Sequence, residues 1–470
     1  MNKFYRMVVV AVCYANDNSA FIPAIWSQMG LAILEENMVM ANLVHRDFEN
    51  DVANFGDTVN TRRPGQFGIR RKTDASGISQ QDATATNVQV KLDQWFYTSF
   101  TILDGERSKS FQDLVTVYLL PGMQTIARAV DRTVLGQIHK YLRAPNNRAG
   151  RLAAMDGTNS GNFALEARQH LNENKAYPDN RRLVLSPASE TALLLNSQFI
   201  SAEKRGDGGT ALDNARLGRI LGFDTFMAQN TPYSNGSGDT AAGTITGANA
   251  IGATGSLPCT VTGYVTNVGE FCNVAGNDQP TFVTATTNGT GNTTAVTLNE
   301  ALKYATGALA VATVYKACTV NLIGGYAAGW SQEVLVDNFV VAPAVGQLIA
   351  FNGGTRHTYT IIESYASGGS QALILDRPLD YSLADDDKAF PGPAGSFNWA
   401  FHRDAVALVS RPLALPNQSM GVMADVAVHN NVAMRVTMQY SIQSGGTIVN
   451  LDILGGVALL DVNLCVPLLG

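Results

Sequence analysis

The chain has 470 residues, of which 46% are hydrophobic and 15% charged, and its formal net charge is -6. Because single hydrophobic cores stop growing at roughly 250 to 300 residues, this length excludes one core and predicts two or more. The acidic balance excludes a strongly basic nucleic-acid reader. The low share of charged residues also implies that much of the surface is uncharged. Such a surface suits a subunit that buries large areas against its own copies, although Gly/Ser/Thr-rich loops would give the same composition.

Residues 1–19 are predicted to form an amino-terminal arm. Lys3 and Arg6 precede an apolar run at 7–15 that resembles a weak secretory signal but is short. Apolar residues then recur near helical spacing over 25–48, which predicts a helix that packs on a neighbour. No segment approaches the roughly 18 to 20 apolar residues of a membrane span, so no membrane partner is expected.

An extended region is predicted to open at 56–59 and to return through 88–93. The returning part alternates apolar and polar residues with the period of two that is typical of a strand. Two strands joined by a long polar tip make an arm with little core of its own, so it is either floppy or docked on another subunit. The loop carries five cations that are therefore predicted to contact acidic groups of an adjacent subunit, with a solvated hairpin surface as the alternative: Arg62, Arg63, Arg70, Arg71 and Lys72.

The strongest helical pattern begins near Pro121 and continues to Tyr141. Pro121 suits a first helical turn, and apolar residues recur from Met123 to Tyr141 at helical spacing. The opposite face carries cations that are candidates for facing nucleic acid through phosphate charge alone, with the polar side of an amphipathic helix as the alternative. They are Arg128, Arg132, Lys140 and Arg143, and Arg148 and Arg151 continue the series.

From about 163 onwards, helices alternate with a buried strand, which indicates a layer of α and β structure. This pattern ends at Leu221-Gly222-Phe223, and 233–258 has the composition of a linker. An inserted all-β domain, a β-sandwich or barrel, is predicted over 235–396, because short strands follow one another closely. The strands that can be assigned lie at 334–336, 348–351, 358–362 and 372–375.

The acidity of the chain belongs to this insert. Residues 230–396 hold 12 Asp/Glu against 5 Lys/Arg, which leaves 27 acidic and 28 basic residues elsewhere. The loop Asp385, Asp386 and Asp387 is a candidate for binding a cation or forming salt bridges to another subunit. A turn of solvated acids fits better, because the calcium-loop spacing and its glycine are absent.

No catalytic residue, metal site or cofactor is predicted. The sequence lacks a Walker loop, a GxSxG elbow, an HExxH pair and a GxGxxG following a strand, and its six histidines are isolated. Its five cysteines show no zinc-ligand spacing and favour reduced thiols, while pairing of Cys259 with Cys272 stays open.

The ordered motifs of the chain resemble those of the major capsid (coat) proteins of tailed bacteriophages, which have the Hong-Kong-97-type fold. More narrowly, they resemble short-tailed-phage coat proteins with an inserted immunoglobulin-like domain. The resemblance covers about 20–233 and 397–470. It rests on these motifs: Gly56-Asp57-Thr58-Val59, 88–93, Asp131, Leu221-Gly222-Phe223, Phe401-His402-Arg403-Asp404-Ala405-Val406-Ala407-Leu408 and Arg411-Pro412-Leu413.

This resemblance implies an α+β fold of the Hong-Kong-97 type with an inserted all-β domain. The capsid body would comprise 20–234 and 397–470. It would have an extended loop over 56–103 that lies over a neighbouring subunit, and a peripheral domain built on a long spine helix at about 113–143. Its axial domain would start at about 163 and include the second part. The amino-terminal extension 1–18 has no obvious counterpart in the family, and 240–320 looks longer than the expected insert.

The resemblance also implies a structural protein rather than an enzyme. Many copies, as hexamers and pentamers, would build an icosahedral shell in the virion, assembled in the host cytoplasm. A scaffolded procapsid would expand as double-stranded DNA is packaged. The implied partners are the protein itself, a scaffolding protein, a portal protein and non-specifically contacted DNA, with decoration proteins as further candidates. Asp385 to Asp387 would then be a candidate contact between capsomers.

Two other classes of protein remain as alternatives. The shell of a cellular nanocompartment would share the fold but enclose enzymes, and the inserted β-domain argues against it. An extracellular immunoglobulin-like adhesin would explain the Gly/Thr-rich module and the sequons at Asn235, Asn288 and Asn292. The helical body and the weak amino-terminal signal argue against secretion.

Overall fold

The computed structural model describes most of the chain. The described residues are 27–28, 38–47, 54–63, 69, 71–72, 80, 86–103, 118–142, 147–201, 215, 217–234, 240–246, 249, 252, 256–307, 309–351, 357–416, 421–429 and 432–470. Within these parts of the chain, no helix is both long and apolar enough to span a membrane.

The first part of the body contains the helices and eight strands. In chain order these are β1 (Thr58–Arg63), β2 (Thr86–Lys91), β3 (Gln94–Leu103), α1 (Leu120–Gly136), β4 (Ala149–Gly150), α2 (Ser160–Glu173), β5 (Arg181–Leu185), α3 (Pro187–Leu194), α4 (Ser197–Ile200), β6 (Arg219–Ile220), β7 (Phe223–Met227) and β8 (Tyr233–Ser234).

The insert contains twelve described strands, which form two closed barrels of six. Barrel one consists of β9 (Thr240–Ile245), β10 (Ser256–Val261), β11 (Phe271–Val274), β12 (Thr281–Gly289), β13 (Asn292–Leu298) and β14 (Val311–Tyr315). Barrel two consists of β15 (Cys318–Val320), β16 (Val334–Asp337), β17 (Leu348–Phe351), β18 (His357–Ser367), β19 (Ser370–Leu375) and β20 (Lys388–Pro391).

The last part of the chain completes two sheets of the body. Its strands are β21 (Gly395–His402), β22 (Val406–Arg411), β23 (Val422–His429), β24 (Val432–Ser441), β25 (Gly446–Leu459) and β26 (Cys465–Leu469). The seven-stranded sheet has the order β4-β26-β21-β5-β7-β6, with β8 pairing β21. The five-stranded sheet has the order β22-β25-β24-β23, with β3 pairing β25.

The long helix α1 packs on one face of the five-stranded sheet. A Cβ added at Gly122 would lie 3.3 Å from Leu451 and 3.6 Å from Thr98, so the helix approaches the sheet closely. The helix buries an apolar stripe that includes Met123 and Val134. This stripe belongs to the largest core, which also contains Trp399 of the seven-stranded sheet and so joins both sheets.

The helix predicted over 113–143 ends earlier than expected. Its α-helical part is Leu120–Gly136, which follows a π-helical turn at Tyr118 and Leu119 and continues as a 3-10 turn, Gln137–Tyr141. Residues 113–117 lie outside the described residues. The last carbonyl groups of the helix accept hydrogen bonds from side chains. The Trp399 indole donates to Leu135 O at 3.2 Å, and the Thr360 hydroxyl donates to Gly136 O at 2.9 Å. These carbonyls are therefore satisfied without a further α-helical turn.

Two other boundaries differ from the prediction. The extended loop was expected to reach 103, but Gln94–Leu103 is β3, which pairs with β25 over its whole length. The antiparallel pair of β1 and β2 forms the described part of the arm. The layer of α and β structure expected from about 163 is preceded by β4 at Ala149, which pairs with β26 of the seven-stranded sheet.

The insert also differs from the prediction, since two barrels occupy the segment where one β-sandwich or barrel was expected. The linker predicted over 233–258 contains β8, β9 and the start of β10. Buried and exposed residues alternate along β9, and the small residues Ala241 and Gly243 are among the buried ones. A Cβ added at Gly243 would lie 2.8 Å from Cys259 Sγ, so a small residue is needed for barrel one to close.

The helix predicted over 25–48 does not continue through its second half. Among 38–47 the structure has a 3-10 turn, Met40–Asn42, and a bridge between His45 and Ala407. The buried Asp131 carboxylate accepts hydrogen bonds from the backbone nitrogens of Val39 and Ala41 at 2.8 and 3.1 Å. These bonds hold the segment against α1 in a non-helical path.

Candidate interaction surfaces

One face of the five-stranded sheet carries exposed aromatic side chains. Successive residues of a strand point to opposite faces, so Phe96 enters the core while Trp95 and Tyr97 point outward. Trp95 is 46% exposed and Tyr97 is 69% exposed. Ile448 on β25 is also exposed, and it is paired in register with Thr101 of β3. Exposed apolar groups in one patch are typical of a surface that contacts a partner.

A cleft of about 600 Å³ lies between this strand and barrel two. Its body side is formed by residues near the root of the arm and at the start of β3. Its other side comes from the barrel. The lining residues are Phe55, Asp93, Gln94, Trp95, Phe96, Tyr97, Ser331, Gln332, Glu333, Ile374, Leu375, Arg377 and Pro378. The cleft therefore combines aromatic walls with carboxylates.

Barrel two is attached to the spine helix through a buried carboxylate, that of Asp376. This side chain is fully buried and accepts hydrogen bonds from Thr360 N at 2.8 Å and Gln137 Nε2 at 3.1 Å. Arg377 lies 3.3 Å from the same carboxylate. A second ion pair joins Arg132 of the helix to Glu363 of the barrel at 2.6 Å. A buried carboxylate needs such partners, since an unpaired buried charge is costly.

The imidazole of His139 completes this joint in its neutral form. Its Nδ1 donates to Gly136 O at 2.7 Å, which leaves Nε2 to accept from Arg377 Nη1 at 2.9 Å. The pKa of His139 is lowered to about 4, chiefly by removal from solvent. The cations Arg377 and Lys140 contribute to this lowering, while Asp376 acts against it. Protonation would place an imidazolium against a guanidinium.

We expect acid to weaken the fold through His139. Its pKa in the folded chain lies below the ordinary value of 6.5, so between these values the unfolded chain binds a proton that the folded chain does not. Stability should therefore fall as the pH falls from 6.5 towards 4. Urea unfolding at pH 6.5 and 4.5 should show a loss about 2–3 kcal/mol larger in the wild type than in His139→Gln.

The comparison with His139→Gln is required because Asp131 has the opposite effect. Burial raises the pKa of Asp131 from 3.8 to about 6, so its contribution is present below pH 3.8 and is lost as the pH rises through 6. Both proteins contain Asp131, so its contribution cancels when the pH response of His139→Gln is subtracted from that of the wild type. Equal pH responses in wild type and His139→Gln would show that His139 does not titrate in the joint.

Barrel one is attached to α2 and β4 by a second set of ion pairs. Arg148, which is almost fully buried, lies 2.5 Å from Glu300, and Lys303 lies 2.6 Å from Glu166. Tyr304 donates to Glu166 at 3.2 Å, and the Arg151 guanidinium stacks 4.1 Å from the ring of Tyr304. The hydrogen bonds and the Lys303 cation hold the pKa of Glu166 at about 2 despite burial.

The cations predicted to contact another subunit lie on the arm. Arg62 and Arg63 are in β1, while Arg71 and Lys72 are exposed. Arg70 is outside the described residues. Their role in contact between subunits stays a prediction.

The cations predicted to face nucleic acid occupy different environments. Arg128 is exposed and bonds only within its own helix, to Gln124 O and the Thr125 hydroxyl. Arg132 is held by Glu363 of barrel two, and Arg148 and Arg151 lie in the joint of barrel one. Lys140 is desolvated, which lowers its pKa. Arg143 lies outside the described residues. Among the candidates that the structure describes, Arg128 alone is exposed, and contact with nucleic acid stays a prediction.

The acidic loop is a turn in which two of the carboxylates accept hydrogen bonds from backbone nitrogens. Asp385 accepts from Leu322 N at 3.0 Å, and Asp387 accepts from Ala384 N at 2.7 Å. Asp386 is exposed and has a φ of 64°. Within the described residues, no group of three or more His, Cys, Asp or Glu side chains could hold a metal ion. Cys259 and Cys272 are free, buried thiols.

Of the residues in the two joints, the sequence singled out Arg132, Arg148 and Arg151, but for contact with nucleic acid rather than with the barrels. Asp376 and Arg377 were not singled out, because they show no recognisable spacing and their partners Gln137 and His139 are more than two hundred positions away in the chain. Glu333 lies in a loop and was not singled out either. One sequence signal was available. Asp131 is an acidic residue in the middle of a strongly apolar helical stripe, which indicates a buried carboxylate with a structural partner.

Comparisons with known proteins find similarity to solved structures only. No protein-family model and no curated protein matches the chain. Solved structures from phages are similar to it over about nine tenths of its length, and two of those named here are titled as capsids.

A capsid structure of cyanophage P-SCSP1u is 10% identical, with a TM-score of 0.43, over 92% of this chain and 88% of that chain. A structure from Mycobacterium phage Che8 is 12% identical, with a TM-score of 0.40, over 92% of this chain and 90% of that chain. The mature capsid of bacteriophage PhiM1 is 9% identical, with a TM-score of 0.38, over 90% of this chain and 86% of that chain.

Proposed function

We propose that the chain is a major capsid protein of a tailed phage. Many copies build the icosahedral shell that encloses double-stranded DNA, by way of a scaffolded procapsid that expands. The proposed fold is the Hong-Kong-97 type, with the two barrels as the insert and the two sheets and α1 as the body. Phe401, His402 and Arg403, which contribute to the resemblance, lie at the end of the buried strand β21 and in the turn after it.

The observation that carries the proposal is the exposed aromatic face beside the arm. Trp95 and Tyr97 expose large apolar areas in a sheet whose other face is packed against α1. The described part of the arm is a two-stranded ladder that packs on the body at its root, through Val90 and Leu92, and such a ladder has little core of its own. Both features are expected of a subunit that is completed by its neighbours, and a contact repeated on every subunit closes a particle without any single strong interface.

The proposed partners follow from this assembly. Hexamers and pentamers of the chain form the shell, with a scaffolding protein and a portal protein during construction and decoration proteins as candidates on the outside. Packaged DNA is contacted by charge alone, with Arg128 as the described cation best placed to meet it. The proposal assigns the chain a structural role in the virion and no catalytic role.

The test is assembly of the full chain, expressed with the other particle-forming proteins of its source and viewed by negative-stain electron microscopy. Wild type should give closed shells, spirals or tubes. Trp95→Glu/Tyr97→Glu should leave dispersed subunits with an unchanged melting temperature, because both side chains are exposed before assembly. A wild type that remains monomeric in every condition would overturn the proposal.

A matched control uses Ile323, an apolar side chain that is 94% exposed on barrel two. Ile323→Glu adds one charge to an exposed apolar position away from the five-stranded sheet and should assemble like the wild type. Loss of assembly in all these variants alike would show that added negative charge, rather than the aromatic face, is responsible. The contents of the shells then separate a virus from a nanocompartment, since the first encloses nucleic acid and the second enzymes.

A further inference from the structure

We infer that the cleft between β3 and barrel two binds a neutral oligosaccharide built of pyranose rings. The rings would lie against the aromatic side chains of the cleft, and their hydroxyl groups would bond to the polar side chains around them. This inference goes beyond the proposed function. It concerns the single subunit and does not depend on assembly.

The cleft has aromatic surface on both sides. Trp95 and Tyr97 of β3 line it and are 46% and 69% exposed. On barrel two, the pKa of Tyr365 is raised by its hydrogen bond to Glu333, by burial and by the nearby Tyr97, so the two tyrosines are close to each other. The electron-rich face of an aromatic ring attracts the slightly positive C–H groups that a pyranose presents on its flatter side.

The polar groups of the cleft match the hydroxyl groups of a sugar. Barrel two contributes Ser331, Gln332 and Glu333 in succession, and the body contributes Asp93 and Gln94. A sugar hydroxyl both donates and accepts, so it can donate to a carboxylate and accept from an amide. The volume of about 600 Å³ lies in the range of concave sites that enclose a ligand of the size of a short oligosaccharide.

The charges of the cleft are compensated within the chain. Arg377 is the one cation among the described lining residues, and its Nη2 lies 2.9 Å from Asp380. Burial raises the pKa of Asp93, and the nearby cations Lys91 and Lys140 act against this rise. Because these charged groups already have partners of opposite sign, the cleft favours an uncharged ligand.

The two walls are held in place by hydrogen bonds within the chain. The Trp330 indole donates to Glu333 O at 3.0 Å, which fixes the loop 331–333 of barrel two. Gln94 Nε2 donates to Asp376 O at 3.0 Å, which joins the start of β3 to the barrel. A site whose walls are already fixed loses less conformational entropy when a ligand binds.

Two charged classes of ligand fit these residues less well. A nucleic-acid strand could stack on the rings, but its phosphates would meet carboxylates, and the guanidinium of Arg377 is already paired. A polyamine would need carboxylates without partners, whereas Asp93 has cations nearby and Glu333 accepts from the Tyr365 hydroxyl at 2.7 Å. A neutral ligand rich in hydroxyl groups meets neither difficulty.

The test is calorimetric titration of the full-length, unassembled protein with two neutral trisaccharides, cellotriose and maltotriose. At least one of them should bind. Tyr97→Ala should weaken this binding about tenfold, because one ring contact is lost. Glu333→Gln should weaken it about fivefold, because a charged acceptor is replaced by a neutral one.

The matched controls are Tyr177→Ala and Asp386→Asn, which change an exposed ring and an exposed carboxylate outside the cleft. Both should bind the trisaccharide like the wild type. Equal weakening by Tyr97→Ala and Tyr177→Ala would contradict the inference. Failure of both trisaccharides to bind the wild type at concentrations up to about 10 mM would overturn it.

Spermidine and a thymidine oligonucleotide test the charged classes of ligand. Neither should displace the bound trisaccharide. Tight binding of spermidine that is lost in Glu333→Gln, without binding of either trisaccharide, would assign the cleft to cations and overturn the inference.

The experiment also separates the cleft from the proposed function, since Trp95 and Tyr97 belong to the face expected to meet a neighbouring subunit. Glu333→Gln lies on barrel two, so it should weaken sugar binding and leave the shells unchanged. Shells formed by a chain that binds neither trisaccharide would contradict this inference alone. Sugar binding by a chain that never assembles would support the cleft and contradict only the proposed function.

Discussion

Replacing Asp376 by Asn should lower the free energy of unfolding by about 3–5 kcal/mol, because it breaks a buried ion pair while its partner Arg377 remains. The fully buried carboxylate accepts from donors on both of its oxygens, including Thr360 N and Gln137 Nε2. An amide presents its own N–H groups to at least one of them. Urea unfolding followed by circular dichroism measures the change.

The control is the same replacement at Asp386, whose side chain is exposed and whose φ of 64° suits Asn as well as Asp. Its free energy of unfolding should change by less than about 0.5 kcal/mol. If Asp376→Asn were as mild as this control, the carboxylate would not hold barrel two on the helix. Hydrogen exchange in Gln137–Tyr141 should rise in the first variant only.

Replacing Gly150 by Ala should cost about 3–4 kcal/mol, since two effects act together. Gly150 has a φ of +74°, where a side chain is strained, and an added Cβ would lie 2.4 Å from Leu469 O. That oxygen is backbone in the parallel pairing of β4 with β26 and cannot move aside as a flexible side chain would. The expected readout is a lower midpoint in urea with an unchanged m-value.

Gly263 separates the two effects. It has the same φ of +74°, but a Cβ there would meet nothing within 4 Å. Gly263→Ala should therefore cost only the backbone strain, about 1 kcal/mol. Similar losses at both positions would mean that β4 and β26 separate easily, and that the edge of the seven-stranded sheet is not tightly packed.

The spine helix could be predicted from the sequence, but its end could not. The apolar stripe from Met123 onwards is a local pattern with a period of 3.6, and the helix follows it. The helix stops at Gly136 because Trp399 and Thr360, far away in the chain, donate to its last carbonyl groups. No local pattern contains that information.

The insert was predicted as β structure, but its division into two barrels was not. Strands of barrel two such as Leu348–Phe351 are apolar and bounded by turn residues, so they were recognisable. Thr240–Ile245 in barrel one contains the small residues that a narrow barrel needs, and these have the composition of a linker. The cleft could not be predicted, since Asp93 and Glu333 come together only after barrel two docks on the body.

The pairing of β8 with β21 places the two ends of the segment that carries the barrels side by side. Tyr233 lies opposite Ser396 and Ser234 opposite Gly395, so the chain leaves and rejoins the body on adjacent strands. A folded module whose own ends lie about 5 Å apart therefore meets the requirement of chain connection for replacing the barrels at this point. Such a graft would also have to supply partners for Arg148 and Gln137, which the barrels now satisfy.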